Sequence, residues 1–168
     1  MVRKVIINTC FGGYGWSQRG VLEILKLKGI KDLHFYVMPL NRNDFTEVSE
    51  QEFISESKCS AYYLWEIGVG GTEKVWTRYN IDREDPEAIA VLERFGSDFC
   101  SSSCARLRVE EFDDEFYDFR IDEYDGAENL ETFPRLTREQ VLRCKTVKEV
   151  ADILQKIGVI KEEVPNAE

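Results

Sequence analysis

The chain has 168 residues, 43% of them hydrophobic and 12% aromatic, and its 32 acidic and 22 basic residues give a formal net charge of −10. Such a composition is typical of a folded globular protein, and the acidic balance disfavours direct binding to nucleic acids or anionic membranes, which are polyanions. Because no segment approaches a secretory signal or a membrane span, we expect a cytoplasmic protein.

The chain opens with a strand, a glycine-rich turn and a helix. The β-branched apolar run Val5-Ile6-Ile7 predicts a buried strand over residues 3–8, and glycines follow within residues 12–15. Ser17 is a good N-cap for a helix over residues 17–28, which Gly29 ends in the C′ position. The sequence therefore predicts a sharp strand-to-helix corner.

A second strand is predicted over residues 33–38, so that the opening forms a βαβ unit with two parallel strands in one sheet. His34 lies in this strand, where we interpret it as a partly exposed strand residue. Residues 40–81 are predicted to be an insertion, in which 61–67 and 73–81 form a hairpin around a glycine loop.

The second half begins with the clearest helix signal in the sequence. Asp85 is a carboxylate N-cap ahead of a proline, which predicts a helix over residues 86–95. A serine-rich loop then leads to predicted strands at 105–112 and 116–124, which we expect to pair as a hairpin. The dipeptide Asp125-Gly126 predicts a turn after the second of these strands.

The C-terminal part reads as helical. Capping-box patterns begin at Thr137 and Thr146, and an apolar stripe with helical spacing follows the second of them. We expect a helical element over 137–158 that packs on the rest of the protein. Residues 161–168 are predicted to be a flexible tail.

Together these patterns predict an α/β (α+β) fold: a mixed β-sheet with a βαβ start, two covering helices and a C-terminal helical extension. The predicted domains are an α/β core over residues 1–134, with the inserted hairpin region near 40–81, and a helical extension over 135–160.

The cysteines are odd in number and scattered, which disfavours a disulfide scaffold and predicts free thiols. A zinc site needs four ligands, and this sequence offers no complete set by spacing. We therefore expect neither a metal nor a cofactor. The five cysteines are Cys10, Cys59, Cys100, Cys104 and Cys144.

Three segments resemble one protein family. The opening Val-Ile-Ile-Asn-x-Cys-x-Gly-Gly-Tyr at residues 5–14, the capped helix within 83–96 and the Glu-Tyr-Asp-Gly turn at 123–126 are similar to small bacteriophage and large-virus proteins with no assigned activity. The resemblance implies a viral origin, with the host cytoplasm as the location, and it supplies no mechanism.

The turn at residues 12–17 is the predicted ligand site, because backbone N–H groups at a helix N-terminus hold anions. The 123–126 turn is a weaker second component, whose two carboxylates point the same way along a strand. Simpler interpretations stay open: a sharp corner, a buried structural cysteine and an ordinary aspartate turn. The predicted ligand-binding residues are Asn8, Cys10, Gly12, Gly13, Tyr14, Ser17, Glu123 and Asp125.

Three functions are compatible with the sequence. The leading prediction is a virus-encoded, non-enzymatic accessory protein that binds a host protein or a small anionic ligand. The first alternative is a nucleotide- or phosphate-handling enzyme that uses the Gly12–Ser17 turn. The second is an acidic DNA mimic built on residues 110–118, which include six acidic residues. No catalytic residue and no oligomeric state is predicted.

Overall fold

A computed structural model describes residues 2–39, 45–55, 60–67, 73–77 and 80–159. Within these ranges the strands are β1 (Val2–Asn8), β2 (Leu33–Pro39), β3 (Thr46–Val48), β4 (Ser60–Ile67), β5 (Glu73–Trp76), β6 (Leu107–Asp113), β7 (Tyr117–Tyr124) and β8 (Ala127–Pro134). The helices are α1 (Gln18–Leu27), α2 (Glu50–Ile54), α3 (Pro86–Phe95), α4 (Ser97–Cys100), α5 (Arg138–Arg143) and α6 (Val147–Lys156).

The fold class is confirmed, since helices combine with antiparallel strands in an α+β arrangement. The described strands form three small sheets: β1-β6, β7-β8 and the four-stranded order β3-β2-β4-β5. The predicted single mixed sheet is therefore wrong, and β1 and β2 do not share a sheet. Antiparallel β3 and β4 occupy both edges of β2, which leaves β2 no free edge for β1.

The predicted hairpin of the insertion is confirmed, because β4 and β5 pair antiparallel from Ile67↔Glu73 to Leu64↔Trp76. The second strand ends at Trp76, earlier than the predicted 73–81. The connecting residues 68–72 and residues 78–79 lie outside the described ranges.

The predicted pairing of β6 with β7 is wrong. Instead β7 pairs with β8, a strand that the sequence analysis did not predict, and β6 pairs with β1. Asp125 and Gly126 both have positive φ, +50° and +84°, which is the requirement of a two-residue type I′ hairpin turn. The Asp-Gly turn therefore continues β7 into a hairpin.

The chain divides into two compact units. The larger unit comprises residues 4–110 and 123–129, and the smaller comprises residues 1–3, 111–122 and 130–168. This grouping differs from the predicted domains, because residues 111–122 and 130–134 belong with the C-terminal helices. The predicted tail at 161–168 lies outside the described residues.

The core of the larger unit lies around α1 and α3. Both helices begin as predicted: the Ser17 hydroxyl accepts from the Gly20 amide, and Asp85 accepts from two amides in the first turn of α3. Full burial of a large apolar side chain is worth about 1.5–3 kcal/mol, so this core is the main source of stability in the unit. Its fully buried apolar members include Ile6, Trp16, Ile24, Leu25, Cys100 and Leu107.

In the smaller unit, α5 and α6 have the predicted threonine caps, Thr137 and Thr146. Ile157, at the end of α6, is 4% exposed, and the Lys156 ammonium lies 4.2 Å from the centre of the Phe116 ring. The helical character of the predicted extension is therefore confirmed. None of the helices in the described ranges combines the length and apolar character needed to cross a membrane.

Candidate functional site

Asn8, the last residue of β1, is completely buried beneath the predicted ligand turn. Its side-chain amide donates to the carbonyls of Cys10 and Gly126, each at 2.6 Å, and its Oδ1 accepts from the Arg106 amide at 2.7 Å. An asparagine side chain has two N–H donors and one carbonyl, and all of them are in use. Asn8 therefore ties three distant chain segments together.

The two predicted parts of the ligand site do come together. A Cβ atom built on Gly126 would lie 2.3 Å from the Gly13 amide nitrogen, and one built on Gly12 would lie 2.1 Å from the Cys104 carbonyl oxygen. Only glycine permits such close approach of backbone to backbone. The turn at residues 12–13 therefore lies directly against the hairpin turn, whose Gly126 amide donates to the Glu123 carboxylate at 2.9 Å.

A buried ion pair completes this region. Both terminal nitrogens of Arg83 donate to Glu128, at 2.6 and 2.7 Å. The backbone amide of Asn8 donates to the same carboxylate at 2.8 Å. The Glu128 side chain is 5% exposed. We call Asn8, Tyr14, Arg83, Gly126 and Glu128 the Asn8–Glu128 network.

Tyr14 lies inside the Asn8–Glu128 network. The Arg83 guanidinium is 4.0 Å from the centre of its ring, and its hydroxyl donates to the Ile81 carbonyl while accepting from the Trp16 indole at 2.8 Å. Burial raises the pKa of Tyr14 to about 12, so the phenol stays neutral at physiological pH. As a neutral, hydrogen-bonded phenol, Tyr14 therefore has a structural role in the fold.

Ser17 lies apart from the network, where α1 begins. Its hydroxyl accepts from the Gly20 amide at 2.9 Å and donates to the Phe99 carbonyl at 2.6 Å, and its own amide donates to the Cys100 carbonyl at 2.7 Å. These bonds join the start of α1 to α4. The two elements form one wall of a cleft.

This cleft has a volume of about 450 Å³. Among the described residues, its lining is dominated by six serines and two arginines, with a single carboxylate. We call it the serine–arginine cleft. The polar lining residues are Ser17, Arg19, Ser55, Ser97, Asp98, Ser101, Ser102, Ser103 and Arg106.

The serine loop that forms one wall is fixed by hydrogen bonds. The Ser101 hydroxyl accepts from the Leu107 amide at 2.8 Å and lies 3.0 Å from the Ser97 hydroxyl, and the Ser102 amide donates to the Gly15 carbonyl at 3.0 Å. A ligand would meet hydroxyls that are already in place, which reduces the entropy lost on binding.

The two guanidinium groups of the cleft, Arg19 and Arg106, are exposed. In the described part of the chain neither has a carboxylate within salt-bridge distance. Asp98 is the one acidic residue in the described lining. The described lining therefore carries excess positive charge, on a chain whose net charge is −10.

The smaller unit has a depression of its own, of about 360 Å³. Its described lining includes three carboxylates, those of Glu115, Glu149 and Asp152, and one arginine, Arg143. This acidic lining disfavours anions, so the depression and the serine–arginine cleft differ in the charge of the ligand that each would accept.

No group of three or more His, Cys, Asp or Glu side chains is arranged to hold a metal ion in the ranges that the structure describes. His34 is on β2, as predicted, and its Nδ1 lies 2.9 Å from the Glu47 carboxylate. Cys59 lies outside the described residues.

Comparisons with protein-family models, with curated proteins and with solved structures give no match for this chain. The interpretation of the site therefore depends on its own geometry.

Of the predicted residues, Ser17 lines the serine–arginine cleft, whereas Asn8 and Tyr14 are structural members of the network. Sequence analysis did not identify Arg19 and Arg106, although the serine-rich loop that it noted forms much of the wall. A run of three serines at 101–103 was the available signal. Nothing in the sequence placed two distant arginines beside that run.

Proposed function

We propose that this protein is a non-enzymatic module that binds a small anionic ligand in the serine–arginine cleft. Guanidinium groups suit phosphate and carboxylate groups because they offer several N–H donors in a fixed plane. A volume of about 450 Å³ is in the range of small-molecule sites.

One observation carries this proposal: Arg19 and Arg106 share a cleft without a carboxylate partner in the described chain. On a strongly acidic protein, exposed arginines ordinarily have acidic neighbours close by. Two that face the same cleft create a local positive potential, which attracts anions that the rest of the surface repels.

The lining supports binding rather than catalysis. A serine nucleophile needs a neighbouring base such as histidine or lysine, and the described lining residues include neither. The predicted phosphate site in the Gly12–Ser17 turn finds less support, because the backbone of that turn packs against Cys104 and Gly126. Viral origin remains a prediction from the resemblance, and a host protein partner remains a separate prediction.

The test is isothermal titration with inorganic phosphate, pyrophosphate and ATP at low ionic strength. We expect Arg106→Gln and Arg19→Gln each to weaken binding about 10-fold or more, since a hydrogen bond to a charged group contributes about 1.5–3 kcal/mol. The matched control is Lys31→Gln, which removes one exposed positive charge from the same unit outside the cleft.

The proposal predicts that Lys31→Gln binds like the natural protein, and that 0.5 M NaCl weakens binding by screening. It is wrong if none of the three anions binds at millimolar concentration. It is also wrong if Lys31→Gln loses as much affinity as the two arginine variants, because the effect would then come from net charge alone.

A further inference from the structure

Two cysteines meet beside the Gly12 turn, although 94 positions separate them in the chain. The Cys10 thiol donates to the Cys104 carbonyl, with Sγ and oxygen 3.4 Å apart, and a Cβ built on Gly12 would lie 3.0 Å from the Cys104 Cβ. The Cβ atom of Cys104 therefore lies beside the backbone of Gly12, two positions after Cys10.

Hydrogen bonds next to the two cysteines hold these two segments together. The Thr9 amide donates to the Arg106 carbonyl at 2.8 Å, and the Arg106 amide donates to the Asn8 side chain at 2.7 Å. These bonds put Thr9 and Arg106 in direct contact, and each cysteine lies within two positions of that contact. To close a disulfide, the Cys10 thiol would rotate from the Cys104 carbonyl towards the Cys104 thiol.

The thiols of the described chain differ in their access to oxidants. Cys104 is exposed and Cys10 is half-buried, whereas Cys100 is completely buried. Burial raises the pKa of the Cys100 thiol to about 12, so Cys100 stays protonated and unreactive. Cys144 belongs to the other unit, and its thiol donates to the Gln140 carbonyl at 3.3 Å.

We propose that Cys10 and Cys104 are a redox pair that closes into a reversible disulfide on reaction with a hydroperoxide. The exposed Cys104 sulfur attacks the peroxide oxygen, which gives a sulfenic acid and, from hydrogen peroxide, one water. The Cys10 sulfur then attacks the Cys104 sulfur, the S–S bond forms, and a second water leaves. Two thiols are oxidised, and one peroxide is reduced to two waters.

The reverse reaction needs a thiol reductant such as glutathione. One glutathione thiolate attacks the disulfide, and a second releases the mixed disulfide, so that two thiols are restored and oxidised glutathione is formed. This inference is independent of the proposed anion site.

The experiment treats the reduced full chain with one equivalent of hydrogen peroxide, blocks the remaining thiols with iodoacetamide and identifies linked peptides by mass spectrometry. We expect a Cys10–Cys104 linked peptide within a monomer, with Cys100 alkylated only after denaturation. Dithiothreitol should remove the link. The oxidised protein should melt about 5–10 °C higher, because the bond closes a long loop.

The matched controls are Cys104→Ser, Cys144→Ser and the double variant Ser103→Cys with Cys104→Ser, which moves the thiol by one position. The proposal expects the link to persist in Cys144→Ser and to be lost in both variants that lack Cys104. It is overturned if Cys104 is oxidised to sulfenic or sulfinic acid while Cys10 stays free. It is also overturned if the shifted thiol links to Cys10 as efficiently as Cys104 does.

Discussion

The Asn8–Glu128 network and the serine–arginine cleft are both polar regions of the larger unit, and both contain arginine. They differ in whether the arginines have partners. Arg83 makes a bidentate ion pair with the buried Glu128 and stacks on Tyr14. Arg19 and Arg106 are exposed and have no carboxylate partner in the described chain.

This difference separates stability from binding. A buried charge whose partner is removed is left uncompensated, which costs about 3–5 kcal/mol, whereas a change at an exposed side chain usually alters stability by about 0.5 kcal/mol or less. Changes in the network should therefore act mainly on the free energy of unfolding, and changes at the cleft arginines should act mainly on ligand affinity.

Glu128→Ala should have the largest effect, because it leaves the Arg83 guanidinium and the Asn8 amide without their shared acceptor. We expect a loss of about 3–5 kcal/mol in the free energy of unfolding, measured by urea denaturation. Glu131→Ala is the matched control, since its pair with Arg120 is exposed and should contribute about 0–1 kcal/mol. Equal losses in the two variants would contradict the structural role of the network.

Gly126→Ala comes next. Its φ is +84°, and the added Cβ would lie 2.3 Å from the Gly13 nitrogen, so the two turns would have to separate. We expect a loss of about 2–3 kcal/mol in thermal or urea denaturation. Gly158→Ala has a similar φ of +73° with no atom within 4 Å, and should cost about 1 kcal/mol from backbone strain alone. If both variants lost the same stability, the contact between the turns would be unimportant.

Asp85→Ala should have an intermediate effect on stability, because the Asp85 side chain has hydrogen-bond partners but is only partly buried. Burial opposes its charge, yet hydrogen bonds from Lys28 at 2.6 Å and from two α3 amides outweigh burial and lower the pKa of Asp85. Asp85→Ala should cost about 1–2 kcal/mol at pH 7 as a lost N-cap.

The pH dependence of the Asp85 effect follows from the lowered pKa. A carboxylate whose pKa is lower in the folded state stabilises the protein above its unfolded value of about 3.9, and this contribution is lost as pH falls through the folded value. The difference in stability between natural protein and Asp85→Ala should therefore shrink below about pH 4. A difference that stayed constant from pH 7 to pH 3 would contradict this account.

Arg19→Gln and Arg106→Gln should have the smallest effect on folding. Both side chains are exposed, so the free energy of unfolding should change by about 0.5 kcal/mol or less. Urea denaturation without ligand measures this directly. A loss of several kcal/mol in either variant would show that the cleft, too, is part of the stabilising structure.

The elements predicted correctly from the sequence are those that interactions between near neighbours in the chain determine, such as helix caps and turns. Ser17 and Asp85 cap their helices as expected, and the threonine caps of α5 and α6 are also confirmed. The Asp125-Gly126 turn was identified correctly, but its hairpin was not, because residues 127–134 lack the apolar alternation of a buried strand.

Long-range partners were the part that sequence reasoning missed. Arg83 and Glu128 are 45 positions apart, and Asn8 and Gly126 are 118 apart. None of these residues lies in a local sequence pattern that indicates its distant partner. The cleft likewise joins Arg19 to a loop more than 80 positions later, so only the folded chain shows that the two arginines share one site.

The most direct test of the anion site compares two variants by thermal shift with pyrophosphate. The account predicts that Gly13→Ala retains the ligand-induced rise in melting temperature. This variant alters the glycine turn at a position where the added Cβ has no atom within 4 Å. Saturation at 100 times the dissociation constant would stabilise the protein by about 2.7 kcal/mol. The double variant Arg19→Gln with Arg106→Gln should melt like the natural protein without pyrophosphate and lose the rise. A full rise in that double variant, with no rise in Gly13→Ala, would contradict the account and place the ligand at the glycine turn.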